Sequence, residues 1–326
     1  MRRFKKLIPK FLLSYYHMAW AFLSALLCGF PSKKLKIIGV TGTNGKTTVI
    51  ALISKILQAG GYKVAALSSA KFQIGEKEDE NKTRMTMPGK GIIQKFLSEA
   101  VKQGCDYAVL EVSSEGIAQY RHLFIDFDVA VWTNLTPEHI ESHGSFEKYR
   151  EAKGKFFKAV KGIHILNKSD KNFPYFLNFK AKRKYIYDLK KITTPEEEIK
   201  ITEAQINSKG ISFWVNKTFF NIMLYGEFNV YNALAAISVG LSQNIGLEIC
   251  SKGLASVKGI PGRMELIKEK PFKILIDYAF TPNALEQVYS TILNHWHANR
   301  MICVLGSCGG GRGRCCGAAG PGDVLR

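Results

Sequence analysis

The first 75 residues contain no aspartate and no glutamate. They carry twelve Lys/Arg, so most of the formal charge of +19 sits at this end, and residues 76–311 together hold only +5. A basic surface spread over the whole protein is therefore excluded, and no nucleic-acid partner is expected. Cysteine is sparse: there are seven, with no CxxC pair and no Cys/His zinc spacing. That excludes a zinc ribbon or a disulfide framework and suits reduced thiols in the cytoplasm. Internal repeats and low-complexity segments are absent before residue 313, which excludes a solenoid. Long apolar runs are absent except at residues 11–30, which excludes a multi-span membrane protein. What is present is ordinary for a globular chain: 326 residues, 46% apolar and 22% charged, enough for about two domains.

The clearest chemical signal begins at residue 36. Lys36-Ile-Ile-Gly-Val is a short β-branched run, expected as a buried strand. It leads into TGTNGKTT (41–48), and residues 49–60 then repeat apolar side chains at helical spacing. Strand, glycine-rich loop and helix form the context a phosphate-binding P-loop requires. In such a loop Gly42, Thr43, Asn44, Gly45, Lys46, Thr47 and Thr48 surround phosphate. Glycines let backbone N–H groups approach the anion, and the helix N-terminus adds its positive dipole end. Lys46 is expected on the β/γ-phosphates and Thr47 on Mg²⁺. Val40 stands where the common pattern has its first glycine. A second strand, Tyr107-Ala-Val-Leu-Glu111, ends in a carboxylate. At the C-terminal end of a parallel strand that carboxylate faces the crevice where such sheets bind ligands, a suitable Mg²⁺ ligand.

The N-terminal 35 residues read as a basic, apolar helix. Arg2, Arg3, Lys5, Lys6 and Lys10 precede FLLSYYHMAWAFLSALLCGF, and Lys33, Lys34 and Lys36 follow it. A secretory signal has this charge order, but Leu27-Cys28-Gly29 is not a small-x-small cleavage site, and a P-loop needs cytoplasmic ATP. A membrane span fits the length, against His17, Ser14, Ser24 and the interfacial aromatics Tyr15, Tyr16 and Trp20. A helix lying on the membrane face or on the protein itself is the third reading. There, residues 1–36 would meet an anionic surface on the inner side.

Six ordered motifs carry a resemblance: TGTNGKTT, EVSSEGIAQYR (111–121), TNLTPEHIESHGSFEKYREAKGKFF (133–157), GEFNVYNALAA (226–236), IPGRMEL (260–266) and DYAFTP (277–282). In order and spacing they resemble the Mur ligases, most of all the UDP-N-acetylmuramoyl-tripeptide synthetase type. The resemblance implies an α/β fold: a P-loop central domain (36–261) with a mostly parallel sheet, then the start of a Rossmann-like α/β domain (262–326). It implies an ADP-forming ligase of peptidoglycan synthesis that joins an amino acid to a UDP-muramoyl-peptide through an acyl phosphate, with ATP and two Mg²⁺ ions. By that resemblance Glu111 and His139 are Mg²⁺ ligands, and Lys153 is the lysine carbamylated to serve the second ion. Thr86, Ser113, Gln119 and Arg121 hold the muramoyl-peptide. Asn134 lies in the loop near the metals, Asn229 and Asn232 are on the adenine side, and Arg263 and Asp277 contact ATP. Lys46, Lys153 and His139 would be the catalytic group, and the enzyme a monomer.

Departures from the family pattern are also present. Glu115 and Phe280 stand where the family has histidines, and Asn167-Lys-Ser-Asp170 is a weakened family turn. Only some 35 residues precede the P-loop strand, where the family has a uridine-binding domain. Residues 313–326 are expected to be an aberrant tail on a third domain cut short. Without the resemblance, Lys153 reads as an exposed helix lysine, and Asn229 and Asn232 as residues that cap or pack the next helix. Rival readings are a folylpolyglutamate-type or lipid-linked-precursor ligase, or a non-catalytic nucleotide-binding protein at the membrane.

Overall fold

The computed structural model describes residues 10–305 apart from 84, 90, 138–142, 203 and 297–299. The chain opens with helix α1 (Lys10–Leu27) and a short 3-10 turn at Pro31–Lys34. Strand β1 (Lys36–Thr41), helix α2 (Lys46–Ala59) and β2 (Val64–Leu67) follow, then the hairpin β3 (Lys71–Ile74) and β4 (Lys77–Glu80). Next come α3 (Ile92–Lys102), β5 (Tyr107–Glu111), the short α4 (Ser114–Ala118) and β6 (Phe127–Trp132). Helix α5 (Phe146–Ala159), β7 (Ile163–Asn167), α6 (Phe173–Leu177) and β8 (Arg183–Tyr187) complete the alternation. The short strands β9 (Lys191–Thr193) and β10 (Glu198–Lys200) extend the same sheet.

The ten strands lie in the order β10-β9-β8-β7-β6-β1-β5-β2-β3-β4. From β8 to β2 every neighbouring pair is parallel, and both flanks turn antiparallel. Because the parallel strands are covered on both faces, they read as continuous apolar runs rather than alternating ones. Odd and even residues divide between two cores. Ile38, Val40, Val109 and Val131 pack beneath α2 and the later helices, while Ile37, Ala108, Leu110 and Trp132 pack beneath α3, α5 and α6. The outermost strand on one side, Lys77-Glu-Asp-Glu80, is exposed at every position, and on the other side Glu198 and Lys200 flank one buried isoleucine.

A separate sheet forms from β11 (Gln205–Asn207), β12 (Gly210–Val215) and β13 (Thr218–Ile222), paired antiparallel. Helices α7 (Phe228–Ser242) and α8 (Leu247–Ala255) then cover α2. The short strand-like runs KYIY (184–187), GISFWV (210–215) and TFFNIML (218–224) predict one antiparallel patch, and the structure divides them. The run at 184–187 lies parallel to β7 inside the main sheet, and only the later runs form the small antiparallel one. Beyond residue 262, β14 (Glu265–Lys268) and β15 (Ile274–Ile276) pair antiparallel, and α9 (Pro282–Trp296) follows. The apolar run Met301–Leu305 predicts a strand, but it is mostly exposed and pairs with no strand among the described residues. Residues 306–326, with the expected aberrant tail, lie outside the described residues.

Candidate active site

β1 has β5 on one side and β6 on the other. Its loop therefore emerges where the chain's crossovers diverge, the place where parallel sheets leave a crevice. Val40 sits in register with Glu111 and Val131 inside the sheet. The backbone is still strand there, so no glycine is needed until the turn begins at Gly42. Gly42 has φ +154°, and a Cβ on it would lie 1.9 Å from Thr133 Oγ1. Gly45 has φ +83°, and its Cβ would lie 2.4 Å from Asn232 Oδ1. No side chain can occupy either position. Gly45 is also the N-cap of α2, with no side chain capping the helix. The positive dipole end of α2 therefore points from a glycine turn, a setting that suits an anion.

Neighbouring loops fix the P-loop in place. Asn134 exchanges two hydrogen bonds with Asn44: the Asn44 N–H donates to Asn134 Oδ1 at 2.9 Å, and Asn134 Nδ2 donates to the Asn44 carbonyl at 3.1 Å. Thr133 Oγ1 donates to the same carbonyl at 2.7 Å. Asp170 Oδ2 accepts from the Leu135 N–H at 2.6 Å, and Asn167 Nδ2 donates to the Thr133 carbonyl at 2.7 Å. The weakened family turn at 167–170 therefore still buttresses the Thr133–Leu135 loop.

Charge converges on one atom of the loop. Lys46 Nζ donates to the Gly42 carbonyl at 3.1 Å and to the Thr43 carbonyl at 2.7 Å. From the opposite side Lys153 Nζ reaches the same Gly42 carbonyl at 2.8 Å. Lys153 is only 1% exposed, so the exposed-lysine alternative is overturned: α5 turns this residue inward, over the ring of Tyr149 at 4.8 Å. Next to the lysines, Glu111 is buried at the end of β5. Its Oε1 lies 3.9 Å from Lys46 Nζ, and its Oε2 accepts from Thr47 Oγ1 at 3.2 Å and from the Ser69 N–H at 2.7 Å. Arg263 Nη2 adds a contact to Thr47 Oγ1 at 3.4 Å. Thr48 is buried in the first turn of α2.

Asn229 and Asn232 lie inside the first turns of α7, not ahead of it. Asn229 Nδ2 donates to the Tyr225 carbonyl at 2.7 Å, and Asn232 Nδ2 donates to Asn229 Oδ1 at 2.9 Å. Both carboxylate oxygens of Asp277 accept backbone N–H groups, from Met264 at 2.7 Å and Ala279 at 2.6 Å. Asp277 thus organises the turn that carries Arg263. His139 lies outside the described residues, which contain no cluster of three or more His, Cys, Asp or Glu able to hold a metal.

The remaining expected residues form a second group around α4. Ser113 caps α4 by accepting the Gly116 N–H at 3.1 Å. Arg121 donates to Gln119 Oε1 at 2.5 Å and to the Met87 carbonyl, tying the 86–88 segment to α4; Thr86 is half-buried there. Burial lowers the Arg121 pKa from its usual value, with Glu115 opposing. Sequence reasoning missed the bridge between the groups. His143 Nε2 meets Ser114 Oγ at 3.0 Å, its ring lies 5.3 Å from Tyr149, and the Tyr149 hydroxyl meets Thr43 Oγ1 at 3.1 Å. Ser69 was missed too, although it follows the parallel strand beside β5, the same signal that marked Glu111.

These residues suit the groups an ATP ligase needs. The glycine cradle, the uncapped α2 and two lysines suit phosphate, and the buried Thr47–Glu111 oxygen pair suits a hard cation such as Mg²⁺.

Residues 40–240 match the family description "Mur ligase middle domain", and residues 262–320 match "Mur ligase, glutamate ligase domain". A UDP-N-acetylmuramoyl-L-alanyl-D-glutamate–2,6-diaminopimelate ligase of Syntrophomonas wolfei is 36% identical, over 91% of this chain and 61% of its own length. A UDP-N-acetylmuramyl-tripeptide synthetase of Roseiflexus is 33% identical, over 93% and 62%. The chain thus spans about three fifths of the length of these relatives. A solved diaminopimelate ligase of the same description superposes with a TM-score of 0.67 at 29% identity, covering 80% of this chain and 54% of that one. A folylpolyglutamate synthase of Mycobacterium tuberculosis shares the fold, with a TM-score of 0.67 at 18% identity, covering 84% and 70%. The chain belongs to the Mur ligase family.

Proposed function

We propose that this chain supplies the ATP-binding centre of a cytoplasmic, monomeric ligase that joins an amino acid to a UDP-N-acetylmuramoyl-peptide in peptidoglycan precursor synthesis. The observation that carries the reading is the convergence of Lys46 and Lys153 on the Gly42 carbonyl, beside the Thr47–Glu111 pair. Lysines and a glycine-lined loop beside a buried carboxylate form the charge pattern that suits a nucleotide phosphate with its metal ion. In this reading the γ-phosphate of ATP lies on the glycine cradle, and Glu111 and Thr47 hold Mg²⁺.

ATP supplies the phosphoryl group that turns the peptide carboxylate into an acyl phosphate, which the incoming amine attacks with loss of phosphate. Lys46 offsets charge as two anions approach, and the loop N–H groups hold the transferred group in line. Arg121, Gln119, Ser113 and Thr86 hold the muramoyl-peptide on the side reached through His143 and Tyr149. Asn229 and Asn232 serve the adenine side, while Arg263, set by Asp277, reaches the nucleotide. Lys153 as a carbamate would change from cation to carboxylate and, with His139, serve a second Mg²⁺. Its buried amine beside the loop carbonyl supports that position for it. The domains divide at 35/36 and 261/262.

Phosphate release that requires a UDP-muramoyl-peptide and an amino acid together is the expected result. ATP binding without that coupling would leave a nucleotide-binding protein, and coupling to a folate would place it with the folylpolyglutamate-type ligases.

A further inference from the structure

Helix α1 is amphipathic in the wrong sense for a helix whose only task is to pack on its own protein. Its small or polar side chains face the body: Ala25 is fully buried, and Ser14, His17, Ala21 and Ser24 are half-buried. Ser24 sits against Gly91 at the start of α3, and Phe22 meets Phe124 with ring centroids 5.3 Å apart. Among the described side chains, most of the large ones face outward. Tyr15 is 62% exposed and Leu27 77%, and Tyr16, Trp20, Leu23 and Leu26 are exposed as well. A folded chain gains stability by turning large apolar groups inward. Here the contacts made by α1 hold that surface away from the body.

We infer that α1 docks on an anionic lipid surface, lying in it rather than crossing it. Charge identifies the occupant. Arg2, Arg3, Lys5, Lys6 and Lys10 precede the apolar face in the sequence, and Lys33 and Lys34 follow it, exposed on the 3-10 turn. No acidic residue precedes Glu76, so α1 and the segments that flank it in the chain carry positive charge only. Tyr15, Tyr16 and Trp20 are the residue types that settle at headgroup depth. Among the described residues, no helix is long and apolar enough to cross a membrane. An apolar face flanked by lysines at both ends matches an interfacial anchor.

The test is flotation of the full chain with phosphatidylcholine vesicles and with vesicles containing one quarter phosphatidylglycerol. Flotation is expected with the anionic vesicles and weakens as salt rises. Leu23→Glu with Leu27→Glu lowers binding at least tenfold while the melting temperature holds, since both side chains are already in solvent. Lys33→Gln with Lys34→Gln lowers binding to anionic vesicles by about 25-fold, at roughly fivefold per basic residue. Trp20 emission shifts to the blue on binding, and the shift is lost in Trp20→Phe. Absence of flotation at 0.1 M salt, or flotation equal in the Leu→Glu chain, overturns the inference. So does a dimer that the Leu→Glu changes dissolve without any lipid binding, which would assign the face to a second copy. A Lys46→Ala chain binds vesicles as the parent does, so failure of the ligase reading and failure of this one are separable.

Discussion

Lys46 and Lys153 approach one carbonyl from two sides, and their substitutions separate their roles. Lys46→Ala removes charge from the phosphate position and is expected to lower coupled phosphate release by about a thousandfold or more. Lys153→Arg keeps a cation but cannot form a carbamate. Turnover is expected to fall by about a hundredfold, and added bicarbonate, which raises the activity of the parent chain, leaves the variant unchanged. His122 gives a prediction about stability. It is buried, Lys155 lies nearby, and both effects lower its pKa to about 4 from 6.5. The folded state therefore binds this proton less readily than the unfolded chain. The stability present above pH 6.5 declines as pH falls toward about 4, by up to roughly 3 kcal/mol. Urea melts of the parent and His122→Gln across that window check it, the variant showing the flatter profile. Lys46, Thr47 and Glu111 were legible in the sequence because local pattern places each at the end of a strand or the start of a helix. Tyr149 was not: it falls on the apolar stripe of α5, and its hydroxyl partner Thr43 is 106 residues away.

Helix α5 shows where a helical wheel stops being informative. Its charged residues Glu147, Lys148, Arg150, Glu151 and Lys155 make Lys153 look like one more solvated side chain. Only the packing of α5 against α4 and the sheet decides that Lys153 faces inward. The run at 184–187 failed for the same reason. Its residues specify a strand, but its direction depends on β7, which its own sequence does not contain. The contact of α8 with α2 yields a prediction at this scale. A Cβ on Gly253 would lie 2.8 Å from the backbone of Ile56 and from the Lys55 carbonyl. Backbone cannot swing aside as a flexible side chain can, so Gly253→Ala is expected to cost about 1–3 kcal/mol by pushing the helices apart. Chemical denaturation measures it. The phosphate loop at the far end of α2 would move with the helix, so ATP affinity should fall as well.

The site draws on residues from 42 to 263, so ligand binding should tighten the whole molecule. ATP with Mg²⁺ is expected to raise the melting temperature of the parent chain, a rise that grows with the logarithm of ligand concentration. Lys46→Ala abolishes the rise and Arg263→Ala reduces it, both read by thermal shift. The order of the six motifs made the P-loop architecture legible from sequence, whereas the convergence of Ser69, Glu111, Asn134, Lys153 and Arg263 on one loop depends on strand order and helix packing. The two borders of the large sheet carry a further consequence. An open sheet offers unpaired N–H and C=O groups at each border, a template on which another chain can add strands. Here one border is Lys77-Glu-Asp-Glu80 and the other Glu198-Ile-Lys200. Three of the four residues at the first border are acidic, so a like copy added there would crowd carboxylates together, which disfavours growth of the sheet by self-addition.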